Sequence, residues 1–322
     1  MLSLFPLSFF SWAFFLLVFF LGPIILEPNF FFWELVPTPP TFLPPPNAST
    51  SLPASLPFVA LNLEYLEAVY FLWGAYGYGL DKLAPHLTEG GPKPIGVQKA
   101  NLDNLTRDIV AQLGLEEIGH LTILQKELGR YYFPRVQLDL SEANWAKIID
   151  NAFGEKLNPP FNPYKNSLNY LISAYTIPYV GLTGYVGIVP LLQGVGAKAL
   201  VAELLGVEAG QDAVIRTLLY TVKDELVPPY KYTVAEFTEK ISSLRNNLSH
   251  AFVDEGLEVP KSEGADGLVT GNILSANNYS LSYARTAKQV LETVYGTGNP
   301  SIPGGFFPKG GNGTIALGYL KS

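Results

Sequence analysis

The sequence of 322 residues contains no cysteine, which excludes disulfides, thiolate metal sites and cysteine nucleophiles together. Charge is also scarce, because 28 acidic and 21 basic residues make up only 15% of the chain and leave a net charge of −7. The sequence has no run of Lys or Arg and no basic stripe interleaved with aromatic residues, so we expect no nucleic-acid binding. Any bound metal ion must therefore be held by oxygen and nitrogen ligands.

The N-terminal segment lacks charge altogether. Residues 1–26 include the apolar run FFSWAFFLLVFFLG and predict a secretory signal peptide or an uncleaved N-terminal anchor. Residues 27–57 are rich in Pro and Ser and predict an extended linker, which leaves residues 58–322 as the folded domain. Glycosylation in the secretory pathway is compatible with five Asn-x-Ser/Thr sequons, at Asn47, Asn104, Asn247, Asn278 and Asn312.

The domain lacks hairpin signals and internal repeats, and its apolar periodicity predicts an all-α fold. One stretch, residues 166–197, carries no charged side chain and has the length of a membrane span. Pro178 and the small residues around it favour a kinked, buried helix instead. The predicted helices span residues 58–80, 103–128, 164 onwards, 197–220, 233 onwards and 287–296.

The second predicted helix places two polar residues where the apolar period requires core positions. These are Glu117 and His120, and Glu116 beside them is rotated by about 100° towards the surface. A carboxylate and an imidazole are costly to bury without a partner, so we expect other polar groups to face them. The apolar stripe that they interrupt consists of Leu105, Ile109, Leu113, Leu124 and Leu128.

Two further predicted helices offer partners for this pair. Glu64 and Glu67 are the only charged residues of the first helix, and we expect at least one of them to point inward. On the fourth helix, Glu208 and Gln211 occupy the gap in the apolar stripe, and Asp212 forms an i,i+4 pair with Arg216 nearby. The third helix is expected to supply no ionisable side chain.

Ferritin-like carboxylate bundles hold two metal ions with a Glu on each of two helices and a Glu-x-x-His on each of the other two. Residues 61–320 contain the segments NLEYLEAVYFLWGAYGYGLDKLAP, GPKPIGVQKANLDNLTRDIVAQLGLEEIGHL, IPYVGLTGYVG, GVEAGQDAVIRTLLY and PGGFFPKG. Through these and further segments they resemble the plant desiccation-related proteins of the ferritin-like superfamily. The resemblance implies a ferritin-like four-helix bundle with additional C-terminal helices and loops, in a secreted or otherwise compartmented protein linked to water-deficit stress, without implying a molecular activity.

The sequence departs from the full ligand pattern at two places. Gln211 stands where a second histidine is expected, and no Glu is available on the third helix. We therefore expect at most about one tightly bound divalent ion, iron, manganese or zinc, or else a polar core whose acids share protons. The candidate ligands are Glu64, Glu67, Glu117, His120, Glu208 and Gln211.

Two functional hypotheses follow from this ligand set. The preferred one is a secreted, non-catalytic protective protein with a degenerate metal site, whose partner is an extracellular or cell-wall component. The alternative is a metal-binding oxidase or iron-handling protein with an altered di-metal carboxylate site. No nucleotide-binding loop and no nucleophile motif in the sequence indicates another chemistry, and the sequence is compatible with an oligomer.

Overall fold

The computed structural model describes residues 57–251, 256–277 and 279–321. The predicted leader and linker, and the sequons at Asn47 and Asn278, lie outside these ranges. Within them the regular structure is helical apart from isolated bridges, which confirms the all-α prediction. The helices are α1 (Pro57–Tyr76), α2 (Leu80–Leu83), α3 (Asn104–Leu128), α4 (Glu142–Phe153), α5 (Ser167–Ala174), α6 (Pro178–Ile188), α7 (Val195–Tyr220), α8 (Val234–Ser249), α9 (Ala287–Val294) and α10 (Thr314–Leu320).

Four helical segments build the bundle that contains the polar cluster. Helix α1 lies along α3, α6 lies along α7, and α1 also contacts α6. Helix α5 continues the third segment and contacts α7, while α8 packs against α4 and α9. The bundle therefore brings the predicted first, second, third and fourth helices around one core, and the C-terminal helices cover its sides.

The uncharged stretch forms two helices inside the protein. By length and composition Ser167–Leu191 is apolar enough to cross a membrane, with a mean hydropathy of 1.3, but 72% of its apolar window is buried in the protein. Asn166 caps the start of α5. The helix is interrupted after Ala174, and α6 begins at Pro178. The stretch is thus a broken core segment, as the position of the proline predicts.

Several helix boundaries differ from the sequence predictions. Helix α1 ends at Tyr76 instead of residue 80, because Gly77 adopts a left-handed conformation with φ of +78°. Helices α4 and α10 were not predicted. The seven residues of α10 make only about two turns, too few for a clear period. The 12 residues of α4 are amphipathic and begin after the Ser141 cap, so its signal was present in the sequence and was missed.

The predicted apolar stripe of α3 is correct only from Leu113 onward. Leu105 is 64% exposed, whereas Thr106 and Val110 are buried. Residues 105 and 113 are separated by eight positions, which rotates them by about 80° around the helix axis. The buried face therefore begins one residue later, and Glu117 and His120 continue it.

Candidate metal centre

The structure brings all six candidate ligands together in the interior of the bundle. Helix α1 contributes one pair, α3 a second and α7 a third, because each pair lies on the buried face of its helix. The most exposed of the six residues has only 7% of its surface accessible. The six are Glu64, Glu67, Glu117, His120, Glu208 and Gln211.

His120 lies at the centre of the cluster. Its Nδ1 is 3.0 Å from Glu64 Oε2, 3.3 Å from Glu117 Oε2 and 3.5 Å from Glu208 Oε1. Ligand atoms from these four residues all lie within 4.8 Å of one another. A single ring nitrogen thus faces carboxylates from three helices, which is the arrangement that a small cation requires.

Gln211 connects the cluster to the protein surface. Its Nε2 donates a hydrogen bond to Glu117 Oε1 at 2.6 Å and another to Glu116 Oε2 at 3.2 Å. Glu116 is exposed, as the helical register predicts. The amide therefore orients the buried carboxylate of Glu117 from a position where a second histidine was expected.

The third helical segment contributes a group that the sequence analysis missed. The Tyr185 hydroxyl on α6 donates a hydrogen bond to Glu64 Oε1, and Tyr185 is buried. The expectation that this segment supplies no ionisable side chain is therefore wrong. A tyrosine within a helix of small and apolar residues was the available signal, because a buried phenol usually requires a hydrogen-bond partner.

The two carboxylates of α1 have opposite pKa shifts. Burial acts to raise the pKa of Glu64, but the charge of His120 and hydrogen bonds from His120, Glu117 and Tyr185 outweigh it and hold this pKa below its ordinary value. Burial and the nearby charges of Glu208, Glu117 and Glu64 raise the pKa of Glu67 well above its ordinary value. In the metal-free protein the surroundings thus favour the charged form of Glu64 and the neutral form of Glu67.

The remaining groups titrate under the same influences. Burial acts to lower the pKa of His120, but the charge of Glu64 and hydrogen bonds to the surrounding carboxylates raise it, so the imidazole is protonated. Burial, followed by the charges of Glu64 and Glu208, raises the pKa of Glu117 well above its ordinary value. Burial raises the pKa of Glu208 to about 7, with hydrogen bonding from His120 opposing it. The protonated histidine therefore pairs chiefly with the charged carboxylate of Glu64, while burial raises the pKa of the other three acids.

Comparison with known proteins assigns this helical bundle to a family. A family model of the ferritin-like domain matches residues 57–221, from the start of α1 to the end of α7. This chain belongs to the ferritin-like family. The match covers every element that contributes to the polar cluster, and it confirms the predicted ferritin-like bundle.

Two curated relatives extend the similarity beyond the bundle. The chain is 54% identical over 261 residues to the ferritin-like catalase Nec2 of Nesocodon mauritianus, which covers 81% of this chain and 83% of that protein. It is 50% identical over 254 residues to the desiccation-related protein PCC13-62 of Craterostigma plantagineum, which covers 79% of this chain and 80% of that protein. The resemblance to desiccation-related proteins is confirmed. No solved structure matches the chain significantly.

The donor set of this ferritin-like site fits a divalent metal ion. Among the described residues, five buried oxygens of the cluster have no hydrogen bond of good geometry: Glu67 Oε1, Glu117 Oε2, both oxygens of Glu208, and Gln211 Oε1. The nearby donor His120 Nδ1 is shared among three carboxylates and lies 3.3 Å or more from Glu117 Oε2 and Glu208 Oε1. Buried polar atoms are normally satisfied, and unpaired carboxylate oxygens beside one imidazole match the preferences of iron, manganese or zinc. Both Glu64 and Glu67 point inward, so the four carboxylates would balance two divalent ions. The number of ions bound stays a prediction.

Other predicted residues lie apart from this centre. His86 and His250 are exposed, and so are the sequon asparagines Asn104 and Asn247. Asn312 is half-buried, and its backbone oxygen accepts a hydrogen bond from Asn62. Asp212 and Arg216, expected as a helical i,i+4 pair, lie 4.0 Å apart, and both side chains are buried.

Proposed function

We propose that this stress-related ferritin-like protein binds a redox-active divalent metal ion and decomposes hydrogen peroxide. The observation that carries the proposal is the buried convergence of Glu64, Glu117, His120 and Glu208 on one point. Similarity to a protein named a ferritin-like catalase supports the reaction, and similarity to a protein named desiccation-related supports the stress context.

The proposed reaction is a disproportionation. One molecule of hydrogen peroxide is oxidised to dioxygen with release of two protons and two electrons, and a second takes them up to give two molecules of water. When bound, a redox-active ion supplies the temporary store for these electrons. Zinc has no such redox chemistry, so manganese or iron suits this function.

The residues of the chain have defined tasks in this proposal. His120 and the carboxylates of Glu64, Glu117 and Glu208 would hold the ion. Tyr185 fixes the Glu64 carboxylate through its hydrogen bond, and burial of the cluster excludes bulk water. The carboxyl group of Glu67, whose pKa is raised by burial, holds a proton beside the site.

Oxygen evolution from hydrogen peroxide tests the proposal. Purified protein is loaded with manganese or iron, its metal content is measured by elemental analysis, and dioxygen is followed with an oxygen electrode. We expect evolution from the wild type and none from His120→Ala, while His86→Ala, an exposed histidine, retains the activity. The proposal is contradicted if the metal-loaded wild type evolves dioxygen no faster than the same concentration of free metal ion.

A non-catalytic protective role is the second candidate. It is favoured by Gln211, a weak neutral donor where a second histidine is expected, and by the lack of any Asp or Glu in the third helical segment, residues 167–191. In an assay that dries a sensitive enzyme with this protein, equal protection by wild type and His120→Ala supports it. An iron-handling role would instead appear as rapid oxidation of ferrous ion by the wild type.

The cellular location is a proposal that rests on the sequence. The charge-free residues 1–26 and the exposed sequons at Asn104 and Asn247 support passage through the secretory pathway, towards an extracellular or cell-wall partner. N-terminal sequencing and glycosidase treatment of the native protein test it. An unglycosylated cytosolic protein that retains Met1 contradicts it.

A further inference from the structure

An apolar pocket lies beside the carboxylate cluster, between α1, α6 and α9. Its walls include Ala60 and Leu63 of α1, and Ala287 and Val290 of α9. The space open to the centres of water-sized molecules is about 60 Å³. One water molecule requires roughly 10–15 Å³ on this measure, so the pocket admits a few water-sized molecules and no large ligand.

The pocket borders residues of the candidate metal centre. Leu63 lines the pocket, and its chain neighbour Glu64 belongs to the cluster. Tyr185 lines the pocket as well, and its hydroxyl donates a hydrogen bond to Glu64. The inner wall of the pocket is therefore bonded directly to a candidate ligand.

Three glycines of α6 line this pocket, and two of them have packing explanations. At Gly187, an added Cβ would lie 2.1 Å from the carbonyl oxygen of Arg285, so a close backbone approach requires glycine. At Gly184, an added Cβ would lie 3.1 Å from Val290 Cγ2, so the side chain of α9 occupies the space. Neither position leaves room for a ligand at the carboxylates.

Gly181 is different, because carboxylate oxygens occupy the position of its missing side chain. The atoms nearest to an added Cβ are Glu208 Oε2 and Glu67 Oε1, each at 3.3 Å. Both residues are 1% exposed, and neither oxygen has a donor in good hydrogen-bonding geometry among the described residues, apart from the proton that the carboxyl groups of Glu67 and Glu208 can share. At Gly181, therefore, two buried carboxyl oxygens that can still accept hydrogen bonds lie behind the pocket wall with no side chain in between.

The chemistry of the walls selects the molecule that can use this site. Ions are disfavoured because the apolar walls offer no compensation for lost hydration. A small uncharged molecule with O–H groups enters at lower cost, and at Gly181 it can donate hydrogen bonds to the two carboxyl oxygens. The pocket thus fits a small neutral hydroxyl or hydroperoxyl compound.

We propose that this pocket is the binding site through which a small, uncharged, O–H-bearing molecule reaches the carboxylate cluster past Gly181. The identity of that molecule rests on the proposed function, under which it is hydrogen peroxide. The existence of the site rests only on the pocket, on Gly181 and on the two oxygens behind it.

Xenon binding tests the pocket without an activity assay, because xenon binds small apolar cavities. We expect a xenon peak between α1, α6 and α9 in pressurised crystals of the wild type. Ala287→Phe fills the pocket and removes the peak, whereas Ala202→Phe, at an exposed position of α7, leaves it. A wild type without xenon in the pocket overturns the proposal.

Kinetics of the metal-loaded protein test the access role. We expect Ala287→Phe and Gly181→Ala to lower kcat/KM for hydrogen peroxide roughly tenfold at unchanged metal content. Gly206→Ala is the matched control, because an added Cβ there meets no atom within 4 Å. Unchanged kcat/KM in both pocket variants of an active protein overturns the access role. An inactive wild type that binds xenon overturns the proposed function and leaves the pocket as a binding site.

Discussion

Glu64 and Glu67 lie three residues apart on one helix and are equally buried, yet their pKa values shift in opposite directions. Glu64 receives hydrogen bonds from His120 on α3 and Tyr185 on α6. Glu67 faces other carboxylates, and its Oε1 has no hydrogen bond of good geometry among the described residues. Donors supplied by neighbouring helices, and not residue type or depth of burial, therefore decide which carboxylate is charged.

This difference divides the cluster into two sides. On the Glu64 side the protein supplies its own positive charge and donors. On the side of Glu67 and Glu208 donors are fewer and hydrogen-bond geometry is poor, and burial raises the pKa of both groups, so that this side tends to take up protons in the metal-free protein. A bound cation would satisfy the second side, while the first side preorganises the ligands.

Removing the positive charge of the first side has the largest expected effect. His120→Ala deletes the group whose Nδ1 faces three carboxylates, so we expect loss of tight metal binding. We also expect the metal-free protein to lose about 3 kcal/mol or more of unfolding free energy, because a buried charge loses its partner. Calorimetric titration with manganese and denaturant unfolding measure the two effects. A variant that still binds manganese with wild-type affinity contradicts the assignment of His120 as a metal ligand.

Exchanging each α1 carboxylate for an amide tests the two sides directly. Glu64→Gln removes a charged group that pairs with His120, and we expect a loss of about 3–5 kcal/mol in the metal-free protein. Glu67→Gln replaces a neutral acid by a neutral amide of the same shape, and we expect a change below about 1.5 kcal/mol. Urea unfolding at pH 7 gives both values. Equal losses in the two variants refute the assignment of charge to Glu64 alone.

Tyr185→Phe removes one donor from the Glu64 side and keeps the ring. We expect a loss of about 1–3 kcal/mol, because Glu64 Oε1 then lacks its hydrogen bond in the interior. We also expect weaker metal binding, since the carboxylate is held less firmly. Tyr279→Phe, at a position 77% exposed, is the control and changes neither value. A variant with wild-type stability and metal affinity shows that Tyr185 does not position Glu64.

The sequence predicts the part of the site that depends on single helices. Glu117 and His120 interrupt an apolar period within α3, and Glu208 and Gln211 do the same within α7, so their inward direction follows from local geometry. The inward direction of both Glu64 and Glu67 is less certain from the sequence, because α1 is apolar on nearly every side. In the structure both side chains point inward, because α1 is enclosed by α3, α6, α9 and α10.

The parts that depend on contacts between helices could not be predicted. The sequence of α6 shows that the Tyr185 phenol needs a partner, but the groups that Tyr185 and Gly181 face are defined only when α6 lies against α1 and α7. The opposite pKa shifts of Glu64 and Glu67 likewise depend on donors from other helices. Local periodicity determines which way a side chain points, whereas its partners depend on long-range packing.

Asp103 provides a third carboxylate for the comparison, in which hydrogen bonds act almost without burial. It is exposed at the N-terminus of α3 and accepts hydrogen bonds from Thr106 N at 2.9 Å and from the Thr106 hydroxyl at 2.7 Å. Hydrogen bonds from the Ser167 hydroxyl and from Thr106 lower the pKa of Asp103 to about 2. Donors alone thus produce the same direction of shift as on the Glu64 side.

The smallest expected effect follows from this cap. Asp103→Ala should cost about 1 kcal/mol of unfolding free energy at pH 7, the usual value for loss of an N-cap. Because the folded pKa lies below the unfolded value of 3.8, the charge-dependent part is complete above that value and disappears as the pH falls towards 2. Urea unfolding of Asp103→Asn, which retains an acceptor oxygen, isolates this part: its deficit relative to the wild type should shrink between pH 4 and pH 2. A deficit that stays constant over this range shows that the hydrogen bonds at Asp103 do not depend on its charge, and it weakens the parallel with Glu64.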